Sequence, residues 1–165
     1  MTQQEYENKI KELQDELEQL KAAKIADSGK RWKPEEKDIY WTLFDTGNCG
    51  DSKWGGDNID KWRYLTGNCF ETFEEAKEYK KQIEYTARYK NYIEEHSKPI
   101  VWNNISQRKY YALFMYEYEK NKIKIEFTNT WKIQGIIYAS SEEIVWDAIH
   151  EIGEDNFKKY VLGVK

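Results

Sequence analysis

The stretch GNCFETFEE at residues 67–75 has a counterpart in GIIYASSEE at residues 135–143. Both contain a glycine, an aromatic residue three positions later, a hydroxyl residue two positions after that, and then a pair of glutamates. A hydroxyl residue followed three positions later by glutamate is a capping box, which typically starts a helix. The two stretches therefore predict two strand-to-helix junctions. They are either diverged copies of one β-hairpin-plus-helix unit or junctions that resemble each other for local reasons.

Working outward from the first junction, alternating aromatic and apolar residues predict a hairpin before it, and the capping box of Thr72 and Glu75 predicts a long helix after it. The predicted unit spans residues 38–96. Its elements are a strand at 39–44, a loop rich in glycine, asparagine and aspartate at 45–60, a strand at 61–66, and a helix from Thr72 to about His96.

The second predicted unit spans residues 108–161 and again places strands before a capped helix. Its elements are strands at 108–118, 122–128 and 131–138, a helix opened by the capping box of Ser140 and Glu143 and closed by Gly153, and a short helix at 154–161. Together the two units predict a compact α+β domain at residues 31–165, with antiparallel sheet.

Residues 1–28 carry a different pattern. Apolar residues recur there at steps of four and three, as in the seam of a coiled coil: Tyr6, Ile10, Leu13, Leu17 and Leu20. An isolated helix of this length is marginally stable in water, so the seam must be covered by its own domain or by a second copy. The narrow seam and the polar remaining faces favour the second copy, which predicts a homodimer through this helix.

Charge and hydropathy exclude several classes of protein. The net charge is −4 and lysines alternate with glutamates, so no basic stripe predicts direct binding to nucleic acid. No apolar run reaches membrane-spanning length, and residues 1–25 lack the apolar core of a signal peptide. We therefore expect a cytoplasmic protein that binds no membrane.

Catalytic and metal-binding patterns are weak. Cys49 and Cys69 end two identical Thr-Gly-Asn-Cys tetrapeptides, but with His96 and His150 they lack the close spacing of zinc ligands. Turn chemistry accounts for the four aspartates at positions 45, 51, 57 and 60. We therefore predict no metal, no cofactor and no enzymatic activity.

The long helix carries aromatic residues on two sides. Ala76, Tyr79, Ile83 and Ala87 are predicted to face the sheet, whereas Tyr85, Tyr89, Tyr92 and His96 lie nearly opposite. Either the second unit covers the tyrosines or they form a binding surface, and Trp54, Trp62 and Trp146 raise the same question. Tyrosine and tryptophan dominate interface hot spots. As partner-binding residues we select Tyr85, Tyr89, Tyr92, Trp54 and Trp146.

Several of these motifs resemble a group of small phage and prophage proteins of low-GC Gram-positive bacteria. The resemblance covers residues 31–162 and leaves out the coiled coil. It rests on the runs Arg31-Trp32-Lys33-Pro34, Tyr40-Trp41, Trp62-Arg63-Tyr64 and Gly67-Asn68-x-Phe70-x-Thr72-x-Glu74-Glu75-Ala76, and on the segment Tyr138 to Asp155 with its Ser-x-Glu-Glu and Ile-Gly-Glu-Asp motifs. It implies an accessory protein of a mobile element, with no catalytic residues to carry over.

The function expected from this resemblance is inhibition of a host defence protein by protein–protein contact, as by an anti-CRISPR protein that binds a CRISPR nuclease. Two alternatives remain at this stage. The first is a dimeric protein that sequesters a small nucleotide signal between aromatic side chains, with Arg63, Arg88 or Arg108 on the phosphates. The second is a structural or morphogenetic phage protein that assembles through the coiled coil.

Overall fold

Two separate two-stranded antiparallel sheets, each followed by helices, make up the α+β fold. The computed structural model describes Lys9, Ile10, Leu13 and residues 31–116 and 122–164. The elements of residues 31–164 are β1 (Ile39–Leu43), β2 (Cys49–Lys53), α1 (Asn58–Leu65), α2 (Phe73–His96), β3 (Lys109–Met115), β4 (Lys122–Thr128), α3 (Glu142–Ile152), α4 (Glu154–Asn156) and a π-helical turn (Phe157–Val161).

The first hairpin is tighter than the sequence predicts. β1 pairs with β2 from Ile39 opposite Lys53 to Leu43 opposite Cys49, so the second strand lies inside the predicted loop 45–60. The turn between the strands closes through a hydrogen bond from the Phe44 N–H to the Asn48 carbonyl (2.9 Å). The prediction of a strand at 61–66 is therefore wrong.

Residues 61–66 belong instead to α1 and its C-cap. Asp57 is the N-cap, and its carboxylate accepts a hydrogen bond from the N–H of Asp60 (2.8 Å). This bond satisfies one of the backbone donors that a helix leaves free at its start. The helix ends at Leu65 with Thr66 as its C-cap, and Gly67 follows with a φ of +86°, the left-handed conformation that glycine adopts without a steric penalty.

The second unit repeats the hairpin with longer strands. β3 pairs with β4 from Lys109 opposite Thr128 to Met115 opposite Lys122. The segment 131–138, predicted as a strand, forms none. Ala139, just after this segment, forms a single bridge to β3 through two hydrogen bonds with Tyr110 (2.9 and 2.8 Å).

The two units correspond with a constant interval of 69 residues. Trp41 of β1 bridges to Phe70, as Tyr110 of β3 bridges to Ala139. The N-cap residues of the following helices, Thr72 and Ser141, keep the same interval. So do the first buried residues of those helices, which are Ala76 and Val145. The hairpin–bridge–helix unit is therefore present twice.

This interval places the N-cap of α3 one residue later than predicted, and the predicted capping box of Ser140 and Glu143 is not formed. Ser141, and not Ser140, caps α3 by accepting a hydrogen bond from the N–H of Ile144 (3.4 Å). The Ser140 hydroxyl instead accepts a hydrogen bond from the N–H of Lys98 (3.0 Å), just beyond the end of α2. The capping box of Thr72 and Glu75 is confirmed, and so are the helix end at His96 and the closure of α3 at Gly153.

The described residues form two hydrophobic cores. A small aromatic core in the first unit contains the buried side chains of Tyr40, Trp54 and Cys69. The larger core forms between the C-terminal half of α2 and the second unit, and its buried members are Tyr89, Ile93, Ala112, Ile123, Ala139, Val145, Ala148, Ile149, Ile152 and Phe157. The second unit thus covers the tyrosine-bearing side of α2. The predicted sheet-facing side is more open, and Ile83 there is exposed.

Two residues of the predicted coiled-coil seam can be placed. Ile10 and Leu13 are helical, and their side chains are 45% and 54% exposed in the single chain. Tyr6, Leu17 and Leu20 lie outside the described residues. In the part of the chain that the structure describes, no helix combines the length and the apolar character needed to cross a membrane.

Candidate binding surfaces

The five predicted contact residues do not form one surface. Trp54 and Tyr89 are only 7% and 3% exposed, so neither side chain is available to a partner, and their selection as contact residues is corrected. Trp54 packs edge-on against Tyr40, with ring centroids 5.8 Å apart. Tyr89 packs against Phe157 of the π-helical turn, with ring centroids 4.8 Å apart. Both rings contribute to the cores.

The other three selected residues are half-buried and stacked against neighbouring rings. Tyr85 lies parallel to Tyr160 at 5.0 Å. Tyr92 stacks on His96 at 4.1 Å, and Trp146 on His150 at 6.0 Å. A contact role for Tyr85, Tyr92 and Trp146 stays a prediction.

An exposed apolar surface lies instead on α1. Ile59, Trp62 and Leu65 recur at steps of three along the helix and are 59%, 61% and 78% exposed. Residues at this spacing share one side of a helix. We call these three side chains the α1 ridge. The sequence contains this spacing, but the prediction of a strand at 61–66 concealed it.

The buried side of α1 is fixed to the first hairpin by a polar network. The Tyr40 hydroxyl donates a hydrogen bond to Asp60 Oδ1 (2.7 Å), and Arg63 Nη1 donates to the Tyr40 hydroxyl oxygen (2.9 Å). Asp60 Oδ2 accepts from the N–H groups of Gly55 (2.7 Å) and Gly56 (2.9 Å). Every oxygen of this buried carboxylate therefore has a partner, as a buried charge requires.

Burial and hydrogen bonding oppose each other at Asp60. Desolvation of the carboxyl acts to raise its pKa, but the hydrogen bonds from Tyr40 and from the backbone of Gly55 and Gly56 outweigh it, and the pKa lies below its usual range. Asp60 is therefore ionised at neutral pH, where it holds α1 against β1.

A second surface is an open groove between α2 and the C-terminal turn. It has a volume of about 720 Å³, and we call it the α2–C-terminal groove. Its apolar lining includes Phe70, Tyr79, Tyr160 and Val164, and the rings of Phe70 and Tyr79 are 5.0 Å apart. A concave, mainly apolar surface of this size is typical of a binding site.

Glu78 organises one wall of this groove. Its Oε2 accepts hydrogen bonds from Lys159 Nζ (2.7 Å) and from the Tyr160 hydroxyl (3.0 Å), and its Oε1 accepts from Lys81 Nζ (3.1 Å). Hydrogen bonds from Lys159 and Lys81 lower the pKa of Glu78 to about 2. The carboxylate thereby joins α2 to the C-terminal turn.

A buried ammonium organises the second unit. Lys109 is fully buried, and its Nζ donates to the carbonyl oxygens of Asn104 (2.8 Å), Gln107 (2.8 Å) and Asn129 (2.9 Å). The Trp102 ring centroid lies 5.7 Å from the same nitrogen. Three carbonyls satisfy the three donors of an ammonium group, so Lys109 joins the loop before β3 to the residue that follows β4.

The arginines considered for phosphate binding already have partners within the chain. Arg63 contacts Tyr40, Arg88 donates to the Glu151 carbonyl (3.3 Å), and Arg108 lies over the Phe127 ring at 4.6 Å. Among the described residues, no group of three or more histidine, cysteine or acidic side chains could hold a metal ion.

Comparison with known proteins yields no relative. No protein-family model, no curated protein and no solved structure matches this chain.

Proposed function

We propose that this protein is a phage-encoded, cytoplasmic inhibitor that binds a host defence protein through the α1 ridge, as an anti-CRISPR protein binds a CRISPR nuclease. The exposure of Trp62 between Ile59 and Leu65 carries the proposal. Large exposed apolar side chains grouped on one surface are typical of protein–protein contact sites. The resemblance to phage and prophage proteins supports the choice of partner.

The rigidity of α1 strengthens this assignment. The helix presents its ridge outward while Asp60 and Arg63 fix its other side to Tyr40. A preorganised helix loses little conformational entropy when it binds, so more of its contact energy appears as affinity. Tryptophan at the centre of such a surface is among the commonest hot-spot residues. We therefore assign Trp62 the central contact.

The protein acts as a homodimer in this proposal. The exposure of Ile10 and Leu13 supports a seam that is available to a second copy. Two α1 ridges on one dimer would raise the apparent affinity for a partner with repeated sites. Sedimentation equilibrium tests this point: the chain should sediment at twice its monomer mass, and Ile10→Asp with Leu17→Asp should give the monomer.

The inhibitory function is tested with purified CRISPR nucleases. The protein is titrated into DNA-cleavage reactions alongside two double variants, W62A/L65A and W131A/I133A. The second is a matched control, because Trp131 and Ile133 are exposed apolar residues of the other unit. We expect the wild type and the control to inhibit cleavage and the ridge variant to lose inhibition. Full inhibition by the ridge variant would contradict the assignment of the surface.

Plating of phage on cells that carry defence systems tests the same function in vivo. Cells that produce the wild-type protein should lose resistance to phage, and cells that produce W62A/L65A should keep it. If the protein restores plating against none of the defence systems, the proposed function is wrong, whichever surface it uses.

A further inference from the structure

We propose that the α2–C-terminal groove binds a basic, amphipathic peptide segment of the partner protein, with apolar side chains on the aromatic lining and lysine or arginine at the rim. This inference deepens the proposed function and rests on it, since the segment belongs to the partner. It adds a second contact site to the α1 ridge.

The apolar part of the groove can receive the apolar side chains of a bound peptide. Phe70, just before α2, and Tyr79, in its N-terminal part, line the groove together with Tyr160 and Val164 near the C-terminal end of the described residues. At about 720 Å³ the groove accommodates a few side chains of a peptide and stays open to solvent along one side. Aromatic rings also attract cations to their faces, so they favour basic side chains as neighbours.

The lysines of the groove are already neutralised within the chain. Lys159 pairs with Glu78 (2.7 Å), and Lys158 pairs with Glu154 (2.6 Å). Lys158 thus has a carboxylate of its own, whereas Lys159 shares Glu78 with Lys81. The lining still contains three carboxylates and only two lysines, so its net charge is negative.

Two carboxylates of the lining differ from these pairs. Glu75 borders the groove on α2 and Asp155 borders it on α4, and both are exposed. Within residues 31–116 and 122–164, neither has a cation within ion-pair distance. Glu75 Oε2 accepts hydrogen bonds only from the N–H groups of Glu71 (3.1 Å) and Thr72 (3.3 Å). The charge left over at the rim is therefore negative, and a basic segment complements it.

The probe is a pair of fluorescein-labelled peptides, KLWKKLLK and its acidic counterpart ELWEELLE, measured by fluorescence anisotropy. The test variant is E75Q/D155N, which removes both charges and keeps the hydrogen-bond acceptor of the capping box. The matched control is E84Q/E94Q, which removes the same number of charges from exposed positions of α2 outside the groove.

We expect the basic peptide to bind the wild type and the control with similar affinity. E75Q/D155N should weaken binding about tenfold, because two charge contacts at partly exposed sites are lost. Binding should also weaken at about 0.5 M salt. Tyr79→Ala should abolish it while circular dichroism shows that the fold is kept.

Three results would overturn the inference: equal binding of the acidic peptide, an equal loss in the control, or no binding of the basic peptide. The inference would also be overturned if E75Q/D155N weakened self-association of the protein, since the groove would then bind a second copy of the chain. The peptide assay uses no nuclease, so it separates this inference from the proposed function. Inhibition without peptide binding would refute the groove assignment and leave the proposed function standing. Peptide binding without inhibition would refute the proposed function, and with it the identity of the partner, but not the binding of basic peptides in the groove.

Discussion

Lys109 occupies in the second unit the position that Tyr40 occupies in the first. Each is fully buried, and each precedes the residue that bridges to the helix-entry segment, Trp41 in one unit and Tyr110 in the other. The chemistry at the two positions differs. Tyr40 donates its hydroxyl hydrogen to a carboxylate, whereas Lys109 donates to three backbone carbonyls. Each unit is thus held by one buried polar side chain, and each can be tested separately.

In the first unit, Asp60→Ala should lower the free energy of unfolding by about 3 kcal/mol, because it leaves the Tyr40 hydroxyl and two backbone N–H groups without their acceptor. Asp57→Ala is the matched control on the same helix, and loss of this N-cap should cost about 1 kcal/mol. Urea denaturation followed by circular dichroism measures both. Equal losses would show that the buried network contributes nothing beyond an ordinary cap.

In the second unit, Lys109→Met should lower the free energy of unfolding by about 2–4 kcal/mol. Methionine fills similar space but leaves the carbonyls of Asn104, Gln107 and Asn129 without their shared donor. Lys132→Met is the control, because its ammonium approaches the same Trp102 ring from an exposed position, and it should change stability by less than about 0.5 kcal/mol. A Lys109→Met protein as stable as the wild type would refute the role of this ammonium.

The identity of the α3 N-cap, which is Ser141 and not Ser140, can be tested directly. Ser141→Ala should destabilise the protein by about 1 kcal/mol, the typical cost of a lost N-cap. Ser140→Ala removes an exposed hydrogen bond from the Lys98 N–H and should cost about half as much or less. Thermal unfolding of the two variants shows which serine caps the helix. A larger loss of stability for Ser140→Ala than for Ser141→Ala would favour Ser140, the cap that the sequence predicts.

Glu78 should make stability depend on pH in the acid range. Its pKa is lowered in the folded protein to about 2 from an ordinary value of 4.5. The unfolded chain therefore binds more protons in this interval, and the stabilisation, present above about pH 4.5, is lost as the pH falls towards 2. In urea titrations, Glu78→Gln should be less stable than the wild type at pH 7 by less than about 1 kcal/mol, since solvent screens a side chain that is 43% exposed, and the difference should vanish near pH 2. A difference that does not change with pH would contradict this account.

Two buried tyrosines, Tyr89 of the larger core and Tyr160 of the C-terminal turn, offer a matched pair. The Tyr89 hydroxyl is buried and accepts or donates no hydrogen bond within the described residues, and burial raises its pKa. Tyr89→Phe should therefore keep or raise stability, by about 1 kcal/mol. Tyr160→Phe removes the hydroxyl that donates to Glu78 and should lower stability by a similar amount. Chemical denaturation of both variants measures the two changes in stability. A Tyr89→Phe protein that is less stable than the wild type would contradict this prediction.

The elements that the sequence predicts correctly are those whose signals are local. The capping box of Thr72 and Glu75, the glycine that ends α3, and the alternation along β4 each act within a few residues. α1 carries local signals too, namely the Asp57 cap and the spacing of its ridge residues, but residues 61–66 also fit a strand. The contact from Asp60 to Tyr40, twenty residues away, favours the helix and leaves no periodic trace in the sequence. Tertiary contacts therefore overrode the apparent strand pattern of residues 61–66.

The candidate surfaces were harder to predict, because aromatic side chains serve both cores and interfaces. No local sequence signal distinguishes Tyr89 and Trp54 from Trp62. In the structure Tyr89 is buried in the larger core and Trp54 in the small aromatic core, whereas Trp62 is exposed. Which aromatic residue is exposed depends on how the elements pack within the first unit and on how the second unit packs on α2. The groove was missed for the same reason, since its lining comes from residues about ninety positions apart in the chain.

The two Thr-Gly-Asn-Cys copies end in thiols of different accessibility. Cys69 is buried in the aromatic core, where burial raises its pKa to about 11, whereas Cys49 is half-buried at the start of β2. Only a thiolate attacks maleimides at a useful rate. A maleimide dye or spin probe at neutral pH will therefore attach at Cys49 and spare Cys69, which gives the native chain one conjugation site on its first hairpin without any engineered cysteine.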